Sequence, residues 1–481
     1  MKNNKILKYL FLLFISTSFF YCSKSESIPE DIQVHDFVWK GLNAYYLWQK
    51  DIPDLQDNRF NNQTELNSYL QSFSSPEILF ESLLNRPADR FSVIVDDYVA
   101  LENSLQGLSL SNGMEFGLVR YSNNATNLFG YVRYVVPGSD AETQGVQRGM
   151  LFNTIDGQQL TDTNFGGLLF GSSTTYTVGF ANYNNGDPTS NGNSVTLVKL
   201  QLQENPIGLS KVIDYNGKKI GYLFYNQFIA GYEPQLNAVF QDFKLQNIEE
   251  LIIDLRYNPG GRVSTASNLG SMITGQFSGQ LFSQEVWNDK VMNSFDPATF
   301  QNNFNTTIDN AGTSEAINSL NLSRVYCITS GATASASELL INSLRSYIDV
   351  RLVGTQTIGK QQGSITLYDS DNLLKGGPNF NRNHTYALQP LVLEITNKDN
   401  ANEPNGFIPG SSLPGILLAE DYGDLGQIGE TTDPLLLRTL VYIDTGARFG
   451  GPVKQFVEHK EVFDSNLATP TSNNMYTEIK K

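Results

Sequence analysis

The apolar positions in the second half of the chain follow a repeating order of strand and helix. Helical spacing marks 234–245, 266–273 and a segment that begins near Leu339. Short apolar runs rich in strand-forming residues occur at 220–228, 251–255, 325–328, 350–353 and 386–395. This alternation of βα units predicts an α/β core, which we place at 206–449.

Two other patterns precede this core. Residues 36–51 and 66–84 have helical spacing, so 23–104 is predicted to be a short tether followed by a small helical region. Residues 105–205 instead alternate in short strands, which indicates a β domain. The last stretch, 450–481, is polar and is predicted to be a loose C-terminal tail.

The N-terminus has the pattern of a secretory signal. Lysines at positions 2, 5 and 8 precede an apolar run from Tyr9 to about Phe20, which is too short for a typical spanning helix. Cys22 resembles the acylated cysteine of a bacterial lipoprotein, although Tyr21 replaces the usual small residue before it. We therefore predict a signal peptide at 1–22, lipidation of Cys22, and an extracytoplasmic, membrane-anchored protein in the periplasm or on the outer-membrane face.

Composition narrows the class of function. The net charge of −16, with no basic cluster beyond the N-terminus, repels phosphate backbones and argues against nucleic-acid binding. No metal-ligand spacing or phosphate-binding loop stands out, so we expect neither a metal nor another cofactor. Cys327 lies inside an apolar strand pattern and is predicted to be a core residue. No local motif supports a Ser/His/Asp triad, although sequence distance does not exclude one for His35, His384 or His459.

The candidate chemistry lies between 324 and 363. Ser335 and Ser337 follow a strand and begin a helix, where backbone N–H groups and the helix dipole can stabilise an oxyanion beside a hydroxyl. The same pattern is also typical of a simple helix N-cap. Lys360 lies in a polar, glycine-punctuated loop, where a solvated charge is the ordinary interpretation. It can act as a general base only if burial or a positive neighbour lowers its pKa from about 10.4 to roughly 7–8.

A tight turn precedes this region. The run at 251–255 is typical of a buried strand, and it leads into Asn258-Pro259-Gly260-Gly261. Because glycine has no Cβ, the backbone there can approach a ligand closely, and an N–H of Gly260 or Gly261 can point at a reacting oxygen. Taken alone, the motif predicts only a turn.

Two segments, TASASELL and VGTQTIGK, resemble the serine/lysine peptidases of the C-terminal processing (tail-specific) protease family, peptidase family S41. The resemblance implies that Ser335 is the nucleophile and that Lys360, 25 positions later as in the family, is the general base. It also implies an oxyanion hole formed by the N–H groups of Ala336 and of Gly260 or Gly261. The implied fold is a ClpP/crotonase-like spiral βαβ core, with an inserted or preceding PDZ-like domain and a small N-terminal helical region.

One position departs from the family pattern. Many members place a glutamine four residues after the lysine to orient it, whereas this chain has Ser364, with Gln361 and Gln362 closer to the lysine. Either Ser364 or a shifted glutamine, such as Gln362, is therefore expected to support Lys360, or the loop follows a divergent branch of the family. Glu338 also matches a family position, but a helix-capping role is the simpler explanation of its spacing from the serine.

The β domain resembles a PDZ domain in the order of its glycine-bearing segments, GMEFGL, VPGS, GVQRGM and NTIDG. In PDZ domains the first of these loops receives the C-terminal carboxylate of a peptide, and a neighbouring strand edge pairs with that peptide. The resemblance implies that this loop consists of Met114, Glu115, Phe116, Gly117 and Leu118.

The implied function is a serine endopeptidase that binds polypeptide tails through the PDZ-like domain and cleaves them by an acyl-enzyme route. Two alternatives are left open. A catalytically inactive lipoprotein of the same fold would only capture peptides or other ligands, and the departure at Ser364 favours it. An esterase or amidase would use the same two residues on small substrates, and the PDZ-like region argues against it. The sequence indicates neither the substrate nor the oligomeric state.

Overall fold

The computed structural model describes residues 28–86, 88–446, 459, 461–469 and 474–479 of the chain. The predicted signal peptide and Cys22 lie outside these ranges. Among the residues described, no helix is both long and apolar enough to cross a membrane.

The N-terminal helical region is present as predicted, and it packs on the main hydrophobic core. Phe37, Val38 and Leu42 are fully buried because they project from one side of the first helix. The helices and the strand of this region are α1 (Gln33–Tyr45), α2 (Gln63–Leu70), α3 (Pro76–Ser82), β1 (Val93–Val95) and α4 (Tyr98–Leu105).

The next part of the chain forms the predicted β domain. Its elements are β2 (Leu108–Ser111), β3 (Met114–Arg120), β4 (Leu128–Val135), α5 (Asp140–Thr143), β5 (Leu151–Ile155), β6 (Gln158–Gln159), α6 (Phe165–Phe170), β7 (Thr175–Asn182), β8 (Thr189–Val198) and β9 (Leu200–Gln203). The main sheet contains β3-β4-β5-β7-β8 in that order, β6 pairs with β5, and β2 pairs with β9.

The prediction that 114–118 form a loop was wrong. Met114, Phe116 and Leu118 alternate into the core of the β domain, so these residues are the beginning of strand β3. The backbone edge of β3 is therefore what a bound peptide could contact.

The α/β core follows. Its elements are β10 (Ile207–Tyr215), β11 (Lys218–Tyr225), α7 (Glu233–Leu245), β12 (Glu250–Asp254), β13 (Gly261–Arg262), α8 (Val263–Ile273), β14 (Leu281–Trp287), α9 (Asp289–Met292), β15 (Gln301–Asn303), β16 (Thr307–Asn310), β17 (Thr313–Ala316), β18 (Arg324–Thr329), α10 (Ala336–Leu344), β19 (Asp349–Gly354), β20 (Gln362–Ser364), β21 (Leu367–Tyr368), β22 (Ala387–Gln389), β23 (Leu391–Thr396), β24 (Gly415–Leu417) and α11 (Pro434–Thr445). Its central sheet has the order β10-β11-β12-β18-β19-β24. β10 and β11 are antiparallel, whereas the other neighbouring strands are parallel, so the predicted α/β core is confirmed.

The C-terminal residues are not a loose tail where the structure describes them. β25 (Glu461–Asp464) pairs antiparallel with β3, and β26 (Met475–Tyr476) pairs in parallel with both β13 and β20. We call residues 461–469 and 474–479 together the C-terminal segment. The prediction of a loose tail was wrong because backbone pairing, which a polar composition does not reveal, holds these short strands in place.

Candidate active site

The turn between β12 and β13 brings backbone directly against the predicted nucleophile. Asn258 shapes this turn, since its Nδ2 donates to the Tyr225 carbonyl at 2.8 Å and its Oδ1 accepts the Gly260 N–H at 2.9 Å. Gly260 has a φ of +113°, and a Cβ added there would lie 2.6 Å from the Ser335 Cβ and 2.8 Å from its Oγ. Glycine is therefore required at position 260.

Ser335 occupies a turn of unusual backbone geometry immediately before α10. Its φ is +64°, a value that residues other than glycine rarely adopt. The side chain is fully buried, and its Oγ has no hydrogen-bond partner among the described residues. Ser337 donates its hydroxyl to the Asn258 carbonyl at 3.2 Å. Of the two candidate hydroxyls, only that of Ser335 has no described hydrogen-bond partner.

Glu338 joins the serine turn to the lysine loop. Its Oε2 accepts the backbone N–H of Ser335 at 2.9 Å and that of Lys360 at 2.8 Å. Its Oε1 accepts the Gly359 N–H at 2.7 Å and the hydroxyl of Thr357. Burial raises the pKa of the Glu338 carboxyl, and these donors oppose that effect. A capping role explains only the bond to Ser335, so the carboxylate does more than the sequence indicates.

The three residues predicted to form the oxyanion hole differ in their surroundings. The Ala336 N–H, at the first position of α10, donates to no residue within the described ranges. The Gly260 N–H is already bonded to Asn258, and Gly261 faces the carbonyl of Phe228, where an added Cβ would lie 2.3 Å from the oxygen. An oxygen placed beside the Ser335 hydroxyl would therefore meet the Ala336 N–H and the positive end of α10.

Lys360 is buried against the N-terminal helical region. Its side chain is 1% exposed, and its Nζ lies 4.8 Å from the centroid of the Phe91 ring. Burial lowers the pKa of Lys360 to about 7, although the carboxylates of Asp89 and Glu338 oppose the shift. The burial and the lowered pKa that a general base requires are both present at this position.

Asn474 of the C-terminal segment lies between Lys360 and Ser364. Its Oδ1 is 3.5 Å from the Lys360 Nζ and accepts the Ser364 hydroxyl at 2.6 Å. Ser364 also lies 3.2 Å from Oε1 of Gln389, which is itself buried. Ser364 thus reaches the lysine through Asn474.

The glutamines next to the lysine point elsewhere. Gln361 donates to the Glu403 carbonyl at 3.3 Å, and the amide of Gln362 has no hydrogen bond to a described residue. The glutamine that approaches the site is Gln389, from β22. Neither Gln361 nor Gln362 therefore makes the contact with Lys360 that was expected of a glutamine displaced along the loop.

Ser335 and Lys360 are not hydrogen-bonded to each other. The Ser335 Oγ has no described partner, while the Lys360 Nζ contacts Asn474. Both side chains are at most 1% exposed. A polypeptide can reach them only if covering residues move.

Strand β3, which contains the residues predicted to form the peptide-binding loop, carries an acidic side chain near its start. The Ser465 hydroxyl donates to the Glu115 Oε2 at 2.5 Å, and its oxygen accepts the Phe116 N–H at 3.0 Å. Burial, together with the neighbouring Glu204 carboxylate, raises the pKa of Glu115 to about 7. This acidic environment is a poor match for the carboxylate that the sequence comparison with PDZ domains led us to expect there.

The described contacts of His384, His459 and Cys327 are all with residues other than Ser335. His384 Nε2 lies 2.9 Å from the Asp369 carboxylate, and His459 Nε2 lies 3.1 Å from the Tyr183 hydroxyl. Cys327 is buried in β18, and burial raises the pKa of its thiol to about 12. A buried, protonated thiol is consistent with the core position predicted for it.

Five residues contact the site without having been predicted to do so: Asp89, Phe91, Asn258, Gln389 and Asn474. Asn258 lies inside a motif that was recognised, so its role in the turn could have been inferred. Asp89 and Phe91 lie in a segment that marks the end of the helical region. No local pattern points to Asn474, which is 114 positions from Lys360.

Comparison with known proteins agrees with this architecture. Residues 219–374 match the model of peptidase family S41, and residues 33–93 match the S41 N-terminal domain. A crystal structure assigned as an S41 protease, from Bacteroides fragilis, is 26% identical, covers 85% of this chain and 97% of its own, and superposes with a TM-score of 0.65. The photosystem II D1 C-terminal processing protease, at 15% identity and a TM-score of 0.50, covers 86% of this chain and 98% of its own and shares the fold.

Two curated relatives match a smaller part of the chain. The carboxyl-terminal-processing protease of a Picosynechococcus species is 26% identical over 238 residues, which cover 47% of this chain and 49% of the relative. Carboxyl-terminal-processing peptidase 3 of Arabidopsis thaliana chloroplasts is 26% identical over 239 residues, which cover 47% and 41%. The match thus spans about half the length of the curated relatives. The chain thus contains two domains that match peptidase family S41, and it shares its fold with S41 proteases.

Proposed function

We propose that this protein is a serine endopeptidase in which Ser335 is the nucleophile and Lys360 the general base. The observation that carries the proposal is the double role of Glu338, whose one carboxylate holds the backbone of both residues. An uncommitted, buried hydroxyl and a buried lysine with a pKa of about 7 are thereby kept in adjoining turns. This is the pairing of nucleophile and base that acyl transfer requires.

The reaction begins with the neutral amine of Lys360. It takes the hydroxyl proton as the Ser335 Oγ forms a bond to the peptide carbonyl carbon, and the carbonyl oxygen becomes the oxyanion. The Ala336 N–H, at the start of α10, supports that oxygen. The C–N bond then breaks, the leaving amine takes the proton from Lys360, and water hydrolyses the acyl-enzyme by the reverse proton transfers.

The substrates we propose are polypeptide tails or other extended segments in the cell envelope, engaged through the backbone edge of β3 in the β domain. The names of the curated relatives, both carboxyl-terminal-processing enzymes, support polypeptide substrates. The N-terminal signal pattern and Cys22 support an extracytoplasmic protein with a lipid anchor.

The test is hydrolysis of β-casein, an unstructured protein, by the chain without residues 1–22. Ser335→Ala and Lys360→Ala are each expected to lower kcat by at least about 1,000-fold, because the two groups act as a unit. Ser337→Ala is the matched control and should keep most of the activity. Activity that survives Ser335→Ala would contradict the proposed nucleophile, and an inactive wild type that still binds casein would point to a binding protein instead.

A further inference from the structure

The C-terminal segment begins in the groove between β3 and α6. There β25 lies antiparallel to β3, with Phe463 opposite Leu118. The Phe463 ring packs against two rings of α6, with centroids 5.2 Å from Phe165 and 5.1 Å from Phe170. The segment therefore extends the sheet and fills a side-chain pocket, which is how an extended peptide binds to an exposed strand edge.

Beyond β25 the segment turns toward the active site. The Asn466 Nδ2 donates to the carbonyl of Tyr257, the residue before the Asn258 turn, at 3.2 Å. A cavity of about 180 Å³ accompanies this stretch, with Glu115 on the side of the β domain and Pro259 on the side of the core. Residues of the groove and of the catalytic turn thus line one continuous path.

The far end of the segment lies on the catalytic loops themselves. Met475 pairs with Gly261 of β13, and Tyr476 pairs with Ser364 of β20. Asn474 contacts the Lys360 Nζ at 3.5 Å. An extended substrate that paired with either of these edges, which lie beside the two catalytic turns, would therefore compete with the segment for it.

We propose that the C-terminal segment is a resident, displaceable ligand of the peptide path, and that the polypeptides which replace it share its chemistry. The inference rests on the function proposed above. The groove then binds an extended stretch from within a polypeptide rather than its C-terminus, and an aromatic side chain of that stretch fills the pocket on α6. Substrates are cleaved only after they have displaced the segment.

The charges of the groove narrow the substrate class further. Arg133 is buried in the β domain and pairs with Glu461 and, at 3.4 Å, with Asp464. A replacing segment is therefore expected to carry acidic residues beside its aromatic residue, since an unpaired buried guanidinium is costly. The Glu115 and Glu204 carboxylates lie where the chain continues as Ser465, so a neutral hydroxyl suits that position better than a terminal carboxylate.

The segment is also held in a way that permits release. β25 is four residues long and lies at the edge of its sheet, and of its residues only Asp464 is buried. Core strands such as β18 are instead buried along nearly their whole length. Local opening of a short, half-exposed edge strand costs much less than global unfolding.

The test uses the full chain without residues 1–22 and measures kcat/KM on β-casein. Phe463→Asp, which removes the aromatic anchor, is expected to raise kcat/KM by at least about fivefold. The reason is that the C-terminal segment has left the groove in a larger fraction of the molecules. Ser465→Ala, a milder change, should raise it about twofold through the lost contacts with Glu115 and Phe116. Leu245→Asp, at an exposed leucine on α7, is the matched control and should change nothing. Unchanged or lower activity in both folded variants would overturn the inference and leave the proposed function standing.

A binding experiment tests the inference without requiring enzymatic activity. A fluorescein-labelled peptide, HKEVFDSNLAT, copies residues 459–469. It is expected to bind the Ser335→Ala/Phe463→Asp protein at least about tenfold more tightly than Ser335→Ala alone, in which the resident segment competes. A control peptide with aspartate in place of the phenylalanine should bind neither. Equal binding of HKEVFDSNLAT to both proteins would contradict displacement, even if every variant were inactive on casein.

Discussion

The two sides of the candidate site are built in different ways. The serine side consists of backbone contacts among motifs close to Ser335, in which Asn258 shapes a turn and Gly260 approaches the hydroxyl. The lysine side consists of side chains from distant parts of the chain, with Phe91 from the N-terminal region and Asn474 from the C-terminal segment. Substitutions of the residues around Ser335 should therefore abolish chemistry, whereas substitutions of the residues that surround Lys360, though not of the lysine itself, should change the rate only modestly.

Among substitutions of residues other than Ser335 and Lys360, the largest effect is expected from Gly260→Ala. The new Cβ would lie 2.8 Å from the Ser335 Oγ at a backbone φ of +113°, so the turn must move. We expect kcat to fall by at least about 100-fold and the free energy of unfolding to fall by about 1–3 kcal/mol. The matched control is Gly331→Ala, in the same serine turn, where an added Cβ meets no atom within 4 Å. Near-normal turnover by a folded Gly260→Ala enzyme would show that this turn is not part of the site.

Glu338→Gln should produce the next largest effect. An amide cannot accept four donors as the carboxylate does, and its own N–H₂ would face backbone N–H groups. We expect kcat to fall by about 10- to 100-fold, with a loss of about 1–3 kcal/mol in the free energy of unfolding. Glu65→Gln is the control, since Glu65 accepts a backbone N–H on the exposed surface. Equal losses of kcat in Glu338→Gln and Glu65→Gln would contradict a specific role of Glu338 in the site.

Asn474→Ala should have a small effect in the opposite direction. It removes one contact between the Lys360 Nζ and the C-terminal segment, so we expect kcat/KM on casein to rise about two- to fivefold. The exposed Asn310→Ala is its control. A lower kcat for Asn474→Ala would instead identify Asn474 as a residue that orients the lysine during turnover.

The same contrast explains how much could be predicted from the sequence. The strands and helices of the core follow from apolar spacing, as the match of 325–328 to β18 and of 234–245 to α7 demonstrates. The contacts around Ser335 lie within three motifs, so their neighbourhood could be expected. Three neighbouring parallel strands, β12, β18 and β19, and the turns that follow them bring those motifs together.

The surroundings of Lys360 could not be predicted in this way. Phe91 contributes to its burial and Asn474 provides one of its polar contacts, and neither residue shares a local pattern with the lysine loop. The C-terminal residues were also misjudged, because a polar stretch with little apolar spacing can still pair through its backbone with existing strand edges. Tertiary pairing of this kind leaves no periodic signal in the sequence.

The most direct test of the account is the rate at which diisopropyl fluorophosphate modifies the enzyme as a function of pH. Ser335 supplies the attacking oxygen, and Lys360 accepts its proton only when neutral, so the rate should rise with pH through a midpoint near the Lys360 pKa of about 7. Mass spectrometry should locate the single adduct on Ser335, and Lys360→Ala should lose both the rate and its pH dependence. Modification at another residue, or a Ser335 adduct whose rate is unchanged in Lys360→Ala, would contradict the account.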